Sequence, residues 1–313
     1  MRLIDSYPEK LSVDIKETRY RTHAALAAEH QVEVAFSADH IEVRRDDRTL
    51  RIHKQHIIYL NALIRFFDFY WESVEPRNEF GKLVCDFSPE RYHRVKGFDL
   101  MPMLFPSLAE PVSTINQYLD FAKLEGGHTA IDLGAYAGMS AILFKQIVGE
   151  RGRVLALEPD PYNYHCAMIN FDLFRRLSGL HIEILDYALW TDNNGIDFSA
   201  DGCMGSSATA FVGERGDRMR VPTITLDQLI EDHGITRVDL LKCDIEGAED
   251  RVFADSRTLC KSVKRLVVEI HKPTGGLTSD VLIPQLERSG FECELMRQYG
   301  VDLPLLYAVN KNL

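Results

Sequence analysis

From residue 112 onward, short apolar runs alternate with helical stretches, and no other feature of the chain restricts its fold so tightly. "HTAIDL" reads as a strand, "GMSAILFKQIVG" as a helix closed by Gly149, and "RVLALE" as the next strand. Asp160 then stands as an N-cap ahead of Pro161, at a helical position that needs no N–H. "HIEIL", "VDLLKC" and "VKRLVVEIH" continue the strand series. Between them, "TLDQLIEDHG" carries a capping box (Thr225, Gln228) and a terminal Gly234, and "EGAEDRVFADS" supplies a further helix. The tail predicts a helix around "PQLERSG", with Pro284 weakening anything helical before it, then two last strands, "FECELMR" and "LPLLYAV". Such alternation implies an α/β fold with a mostly parallel sheet covered on both faces. Ligands of these sheets bind beyond the carboxyl ends of the strands, near the topological switch point.

At or just past those ends stand Asp132, Glu158, Asp186, Asp244 and His271. One acid there is unremarkable as a helix cap. Four acids around one crevice repel one another, so a cation or several hydroxyl donors should occupy the space between them. The turn "DLGAYAG" places glycines at 134 and 138, but Tyr136 stands where a dinucleotide fingerprint needs its middle glycine. No GxxxxGK[ST] run occurs either, which disfavours a phosphate cradle. Gly134 permits a tight turn that brings backbone close to a ligand. Glu158, 24 residues after Gly134, is placed to accept hydrogen bonds from both hydroxyls of a ribose. A nucleoside with a positive centre and no phosphate describes S-adenosylmethionine. The alternative for this stretch is a dinucleotide domain with a degenerate glycine loop.

Residues 1–111 read differently, as a small α+β unit. "QVEVAF" and "IEVRRDDRTLRIH" alternate with period two around an Asp46–Asp47 turn, predicting a hairpin. "HIIYLNALIRFFDFYWESV" predicts one packed helix, and "FGKLVCDFS" another strand. The formal charge of −11 speaks against a general affinity for nucleic acid; "RIHKQH" and "RYHRVK" read as solvated faces. No run reaches the ~18 apolar residues of a membrane span, and the N-terminal "MRLIDSYPEKLSVDIKETRY" lacks a signal-peptide core. The six cysteines are scattered without zinc spacing, so a reduced cytoplasmic setting is expected, with Cys166, Cys243 and Cys293 as small buried hydrophobes.

In their order and spacing, "IDLGAYAGMSA", "LALEPDPYN", "TLDQLI", "VDLLKCDIEGAE" and "VVEIH" resemble the FkbM family of S-adenosylmethionine-dependent methyltransferases, over about residues 113–300. "KCDIEGAE" is the most specific, since the family typically shows K-x-D-x-E-G-x-E there. The resemblance implies a class I (Rossmann-like) methyltransferase domain over 112–313, with a seven-stranded, mostly parallel sheet ending in an antiparallel hairpin. It also implies O-methylation of a hydroxyl on a sugar, glycan or natural-product scaffold. Residues 1–111 lie outside it and are expected to serve acceptor recognition or homo-oligomer contact.

Within that frame Asp132, Gly134, Ala135 and Gly138 are expected at the methionine end of the cofactor. Glu158 and the adjoining Pro159 belong at the ribose, and Asp186 and Tyr187 at the adenine. Asp244 and His271 are the general-base candidates, because an aliphatic hydroxyl is nearly as weak an acid as water. His271 could instead only hydrogen-bond a carboxylate such as Glu269. Glu249 reads as an acid at a helix N-terminus. Asp244 with Glu246 could hold magnesium, a reading not favoured. "FSADGCMGSSATAFVGERGDRMRV" reads as a mobile loop over the site or, alternatively, a surface hairpin. Rival functions are a nicotinamide-dependent oxidoreductase, a non-catalytic cofactor-binding scaffold and an N-methyltransferase. An amide N-methyltransferase often carries an Asn-Pro-Pro-Tyr-like run where "CDIEGAE" stands.

Overall fold

The computed structural model describes residues 13–88, 90–209, 216–254, 256–272 and 276–313. Residues 1–12, on which most of the signal-peptide reading rests, lie outside the described residues. The chain divides into two compact units, residues 1–112 and 113–313. No helix among the described residues is long and apolar enough to cross a membrane.

Among the described residues, the first unit begins with a helix, Val13–Glu29, that the sequence reading does not anticipate. Strands β1 (Glu33–Phe36), β2 (His40–Arg45), β3 (Arg48–His53), β4 (Arg77–Glu79) and β5 (Lys82–Phe87) form a sheet in the order β1-β2-β3-β5-β4. The expected hairpin turns at Asp46 and Asp47, with Asp46 at φ 55. Strands β6 (Arg91–Val95) and β7 (Phe98–Phe105) pair separately. Arg51 ties the sheet together, its guanidinium within 3.1 Å of Glu42, Glu79 and Asp86. The single helix expected over 56–74 is instead a 3-10 turn (Lys54–Tyr59) and two short helices, Leu60–Arg65 and Phe67–Trp71. Phe66, at φ −115 and ψ 39, breaks them. Phe67, Phe69, Tyr70 and Trp71 are all buried beyond that break.

In the second unit, β8 (Thr129–Leu133), β9 (Arg153–Leu157), β10 (Glu183–Leu185), β16 (Leu240–Cys243), β17 (Arg265–Glu269), β18 (Phe291–Met296) and β19 (Leu305–Asn310) build a seven-stranded sheet. Its order is β10-β9-β8-β16-β17-β19-β18, with every neighbouring pair parallel except those involving β19. The order reverses between β8 and β16, which defines the switch point. Helix Met139–Val148 follows β8, closed by Gly149 at φ 66; helix Pro161–Ser178 follows β9, capped by Asp160.

Alternation sets the faces of the sheet. Ile131, Leu133, Leu241, Cys243, Leu266 and Val268 enter one apolar cluster. The intervening residues, including Asp132, Lys242 and Glu269, therefore point to the other face. Register then makes Asp132 and Lys242 direct cross-strand partners.

Three local expectations need correction. Helix Ser279–Arg288 runs through Pro284: one hydrogen bond is forfeited, and burial of Leu282 and Leu286 against the sheet holds the helix. Only half of the capping box forms, Thr225 accepting from the Gln228 N–H at 3.1 Å while the Gln228 side chain bonds Asp232 and Asn193 takes the Thr225 N–H. The segment 198–221 is not simply a loop. Strands β11 (Ala188–Leu189) and β15 (Thr223–Ile224) flank it, β12 (Ile196–Ala200) overlaps its start, and β13 (Ser207–Ala208) and β14 (Asp217–Val221) lie within it; β13-β12-β14 is an antiparallel sheet, in line with the hairpin alternative. Its turn is pinned by Gly202 N–H and Ser206 Oγ to Asp160, and by Asn163 Nδ2 to the Cys203 carbonyl. Residues 210–215 of that segment lie outside the described residues.

Candidate active site

The turn after β8 is locked from several sides. Gly134 and Ala135 both donate N–H bonds to the Leu157 carbonyl at 3.0 Å, and Gly138 donates to Ala135 at 2.8 Å. Tyr136, a non-glycine residue at φ 51, donates its N–H to Glu158 Oε2 at 2.7 Å. Gly134 has φ +75, and a Cβ on it would lie 1.8 Å from the Asp244 carbonyl oxygen. The first strand's turn and the end of β16 are thus in backbone contact. A Cβ on Gly138 would meet the Phe171 ring at 2.4 Å. Gly134→Ala is therefore expected to cost more than ~2 kcal/mol, adding a clash to left-handed strain of ~1–2 kcal/mol. Chemical denaturation should show it, whereas Gly126→Ala, with open space around it, should be near neutral.

Glu158 is 4% exposed. Its Oε1 accepts from the Asp160 N–H at 2.9 Å, so each oxygen holds one backbone donor. The Asn163 side chain bonds the carboxyl as well, so of a carboxylate's about four acceptor sites one is left over for a hydroxyl. Burial, reinforced by the Asp160 carboxylate, pushes its pKa up to about 8. Pro159 is half-buried beside it. The Leu185 carbonyl accepts the Glu158 N–H at 3.1 Å, which brings the end of β10 alongside. Asp186 follows there, exposed, and Tyr187 packs partly buried against the apolar cluster.

Asp132 is fully buried; Ser140 Oγ donates to its Oδ2 and Lys242 Nζ lies 3.2 Å from its Oδ1. Lys242 also donates to the Gly134 carbonyl at 2.6 Å and stands 3.5 Å from Asp244 Oδ2. Burial works against the ammonium, but Asp132, Asp244 and Glu269 outweigh it and raise its pKa. The cation that the gathered acids call for is therefore supplied in part by the chain itself. Sequence reasoning passed over Lys242, although a lysine inside the apolar run "LLKC" was a visible signal.

His271 Nδ1 pairs with Glu249 Oε1 at 2.9 Å, not with Glu269, which instead accepts from Tyr118 Oη. Glu249 is fully buried, and the same Oε1 takes the Gly247 N–H at 3.0 Å. Its role therefore exceeds the expected helix-dipole one. The other ring nitrogen, Nε2, lies 3.7 Å from Asp244 Oδ1 and 3.7 Å from Glu246 Oε1. Burial would lower the imidazole pKa, yet Glu246, Glu249 and Asp244 hold it well above its ordinary value. Glu246 has φ 57, a strained non-glycine conformation of the kind that clusters at functional sites.

The strand order, with its switch point between β8 and β16 and its antiparallel last hairpin, is that of the class I methyltransferase fold. The family described as the methyltransferase FkbM domain matches residues 132–299, and this chain belongs to it. The chain is 29% identical over 140 residues to the hexuronic acid methyltransferase AglP of Haloferax volcanii, covering 45% of this chain and 54% of that one. It is 36% identical over 103 residues to the AMB antimetabolite synthetase AmbE of Pseudomonas aeruginosa, 30% of this chain and 5% of that one. It thus spans about half of the former relative and a twentieth of the latter. Among solved structures, methyltransferase FkbM from Methylobacillus flagellatus KT is similar with a TM-score of 0.43 and 16% identity, over 94% of this chain and 60% of that one. Aeropyrum pernix fibrillarin, solved with bound S-adenosyl-L-methionine, gives 0.40 and 14%, over 89% and 99%.

Proposed function

We propose that this chain methylates oxygen, on a hydroxyl of a sugar, glycan or small natural-product scaffold. The observation that carries the reading is the backbone contact between Gly134 and Asp244, which sets the Asp244–His271 pair directly against the cofactor turn. AglP, a hexuronic acid methyltransferase by name, supports a sugar-type acceptor.

Asp132, Gly134, Ala135 and Gly138 would hold the methionine end of S-adenosylmethionine, Glu158 and Pro159 the ribose, and Asp186 and Tyr187 the adenine. The acceptor capacity that Asp160, Tyr136 and Asn163 leave on the buried Glu158 supports a ribose hydroxyl there. The cofactor supplies a methyl group on a sulfonium, and the side chains position the acceptor and exclude water around it. The acidic wall of Asp132, Asp244 and Glu246 favours positive charge near the methionine end. Asp244 faces the acceptor hydroxyl and receives its hydrogen; His271, held in its charged form by Glu246, Glu249 and Asp244, orients the pair and acts as the base only once it has itself given up a proton. We assign residues 1–111 to acceptor recognition or subunit contact. Tyr136 in the middle-glycine position disfavours a nicotinamide dinucleotide.

The test is methyl transfer from labelled S-adenosylmethionine into a panel of uronic acids, glycosides and amines. Label on oxygen is expected, with Asp244→Asn reducing kcat by ~10²–10⁴ while S-adenosylhomocysteine affinity stays within a few-fold. Label confined to amines, or full turnover by Asp244→Asn, would overturn the reading.

A further inference from the structure

We infer that Asp244, Glu269 and His271 form a binding site for one first-row divalent cation, of the manganese type, at the acceptor end of the cleft. The inference rests on the methyltransferase reading for its purpose but not for its geometry. One donor atom from each of the three residues lies within 4.8 Å of the others. Donors around one octahedral cation at about 2.1 Å lie about 3 Å apart when adjacent and about 4.2 Å when opposite. Asp244 Oδ1 and His271 Nε2, 3.7 Å apart, fall inside that range, and Glu246 Oε1 is at the same distance from Nε2. Slight closure around an ion would complete the set.

Two further observations point to a ligand there. Asp244 Oδ1 is a buried oxygen without a hydrogen-bond partner among the described residues, and it faces His271 Nε2. An orphaned buried carboxylate oxygen is costly unless something binds it. In addition, each donor is held from outside the cluster. Glu249 takes His271 Nδ1 and so turns Nε2 inward; Lys242 stands at Asp244 Oδ2, leaving Oδ1 to the site; Tyr118 donates to Glu269 Oε1. A carboxylate on the far nitrogen of a histidine is the usual outer support of a metal-binding imidazole.

Charge agrees with geometry. Asp132, Asp244, Glu246, Glu249 and Glu269 face Lys242 and His271, so the carboxylates outnumber the basic groups, and a cation bound at Nε2 takes the place of the proton that these acids hold on His271, releasing it to solvent. The donor set also selects the ion. Magnesium prefers oxygen and water, whereas one imidazole with two carboxylates suits manganese and its first-row neighbours. This differs from the magnesium reading at Asp244 and Glu246, not favoured from the sequence, because Glu269 and His271 replace an all-oxygen set. A cation held there would polarise an acceptor hydroxyl and orient it toward the cofactor turn.

The test is a titration of the chelator-stripped full chain with Mn²⁺, read as loss of the free-ion electron paramagnetic resonance signal. One Mn²⁺ per chain is expected, with affinity falling at least tenfold in Glu269→Gln and in His271→Gln. Asp197→Asn, an exposed acid paired with Arg218, should leave it unchanged. Circular dichroism confirms folding of each variant. Glu249→Gln, which keeps all three donors but changes the partner of Nδ1, should weaken binding several-fold. S-adenosylhomocysteine binding, followed in parallel, should survive Glu269→Gln. No Mn²⁺ binding up to millimolar concentration, or binding equal in wild type and both ligand variants, overturns the cation site. If S-adenosylhomocysteine still binds in that case, the methyltransferase reading stands without it; if Mn²⁺ binds and S-adenosylhomocysteine does not, the reverse holds.

Discussion

Replacing Lys242 with methionine is expected to destabilise the 113–313 unit by ~3–5 kcal/mol, the cost of stripping one partner from a buried ion pair. The lysine side chain is 6% exposed and Asp132 is not exposed at all, so water cannot take over from the missing ammonium. The Gly134 carbonyl loses its donor at the same time. At ~2–4 °C per kcal/mol for a unit of this size, the melting temperature should fall by roughly 6–20 °C. Adding Asp132→Asn to Lys242→Met should recover part of the loss, because the uncompensated charge disappears with it. Differential scanning fluorimetry of the single variants and the double variant measures this coupling directly. A change below ~2 °C in Lys242→Met would mean that the pair is not buried as described.

Glu158→Ala is expected to weaken S-adenosylhomocysteine by at least ~100-fold. A hydrogen bond to a charged acceptor contributes ~1.5–3 kcal/mol. The substitution also removes the acceptor of the Tyr136 N–H, loosening the turn that the ligand must meet. A pH signature accompanies the loss. The Glu158 carboxyl, raised from 4.5 to about 8 in the folded chain, adds stability in full only below its unfolded value. That contribution is lost progressively as pH rises toward about 8. Relative to Glu158→Gln, the free wild type should therefore lose melting temperature between pH 5 and 8. Ribose hydroxyls favour the ionised form, so affinity should rise with pH over the same upper range and level off past about 8. Flat pH profiles in wild type and variant alike would remove Glu158 from the ligand.

The parallel sheet is legible in the sequence because its strands are short apolar runs punctuated by Gly149, Asp160 and Pro161, signals that act locally. The turn at Gly134 and the acid at 158 are legible for the same reason, being fixed by their places at strand ends. Lys242 is harder to read. Its partnership with Asp132 exists only through the register of β8 beside β16, which a chain order of strands does not disclose. Glu249 misleads in a similar way, since an acid in a first helical turn has a sufficient local explanation until His271 is brought against it. The break at Phe66 has no local marker such as glycine or proline, and the passage of a helix through Pro284 is decided by what that segment must bury. In 198–221, glycines and serines mark turns, but only pairing across β12 shows that the turns belong to a sheet tied to Asp160.

The most direct test of the cofactor cleft is calorimetric titration of the purified chain with S-adenosylhomocysteine, with NADH as the comparison. Saturable binding at one site per chain, accompanied by ~2.7 kcal/mol of stabilisation at 100 times the dissociation constant and no response to NADH, is the predicted result. Absence of heat and of any melting shift at saturating S-adenosylhomocysteine would contradict the assignment of the Asp132–Glu158 cleft.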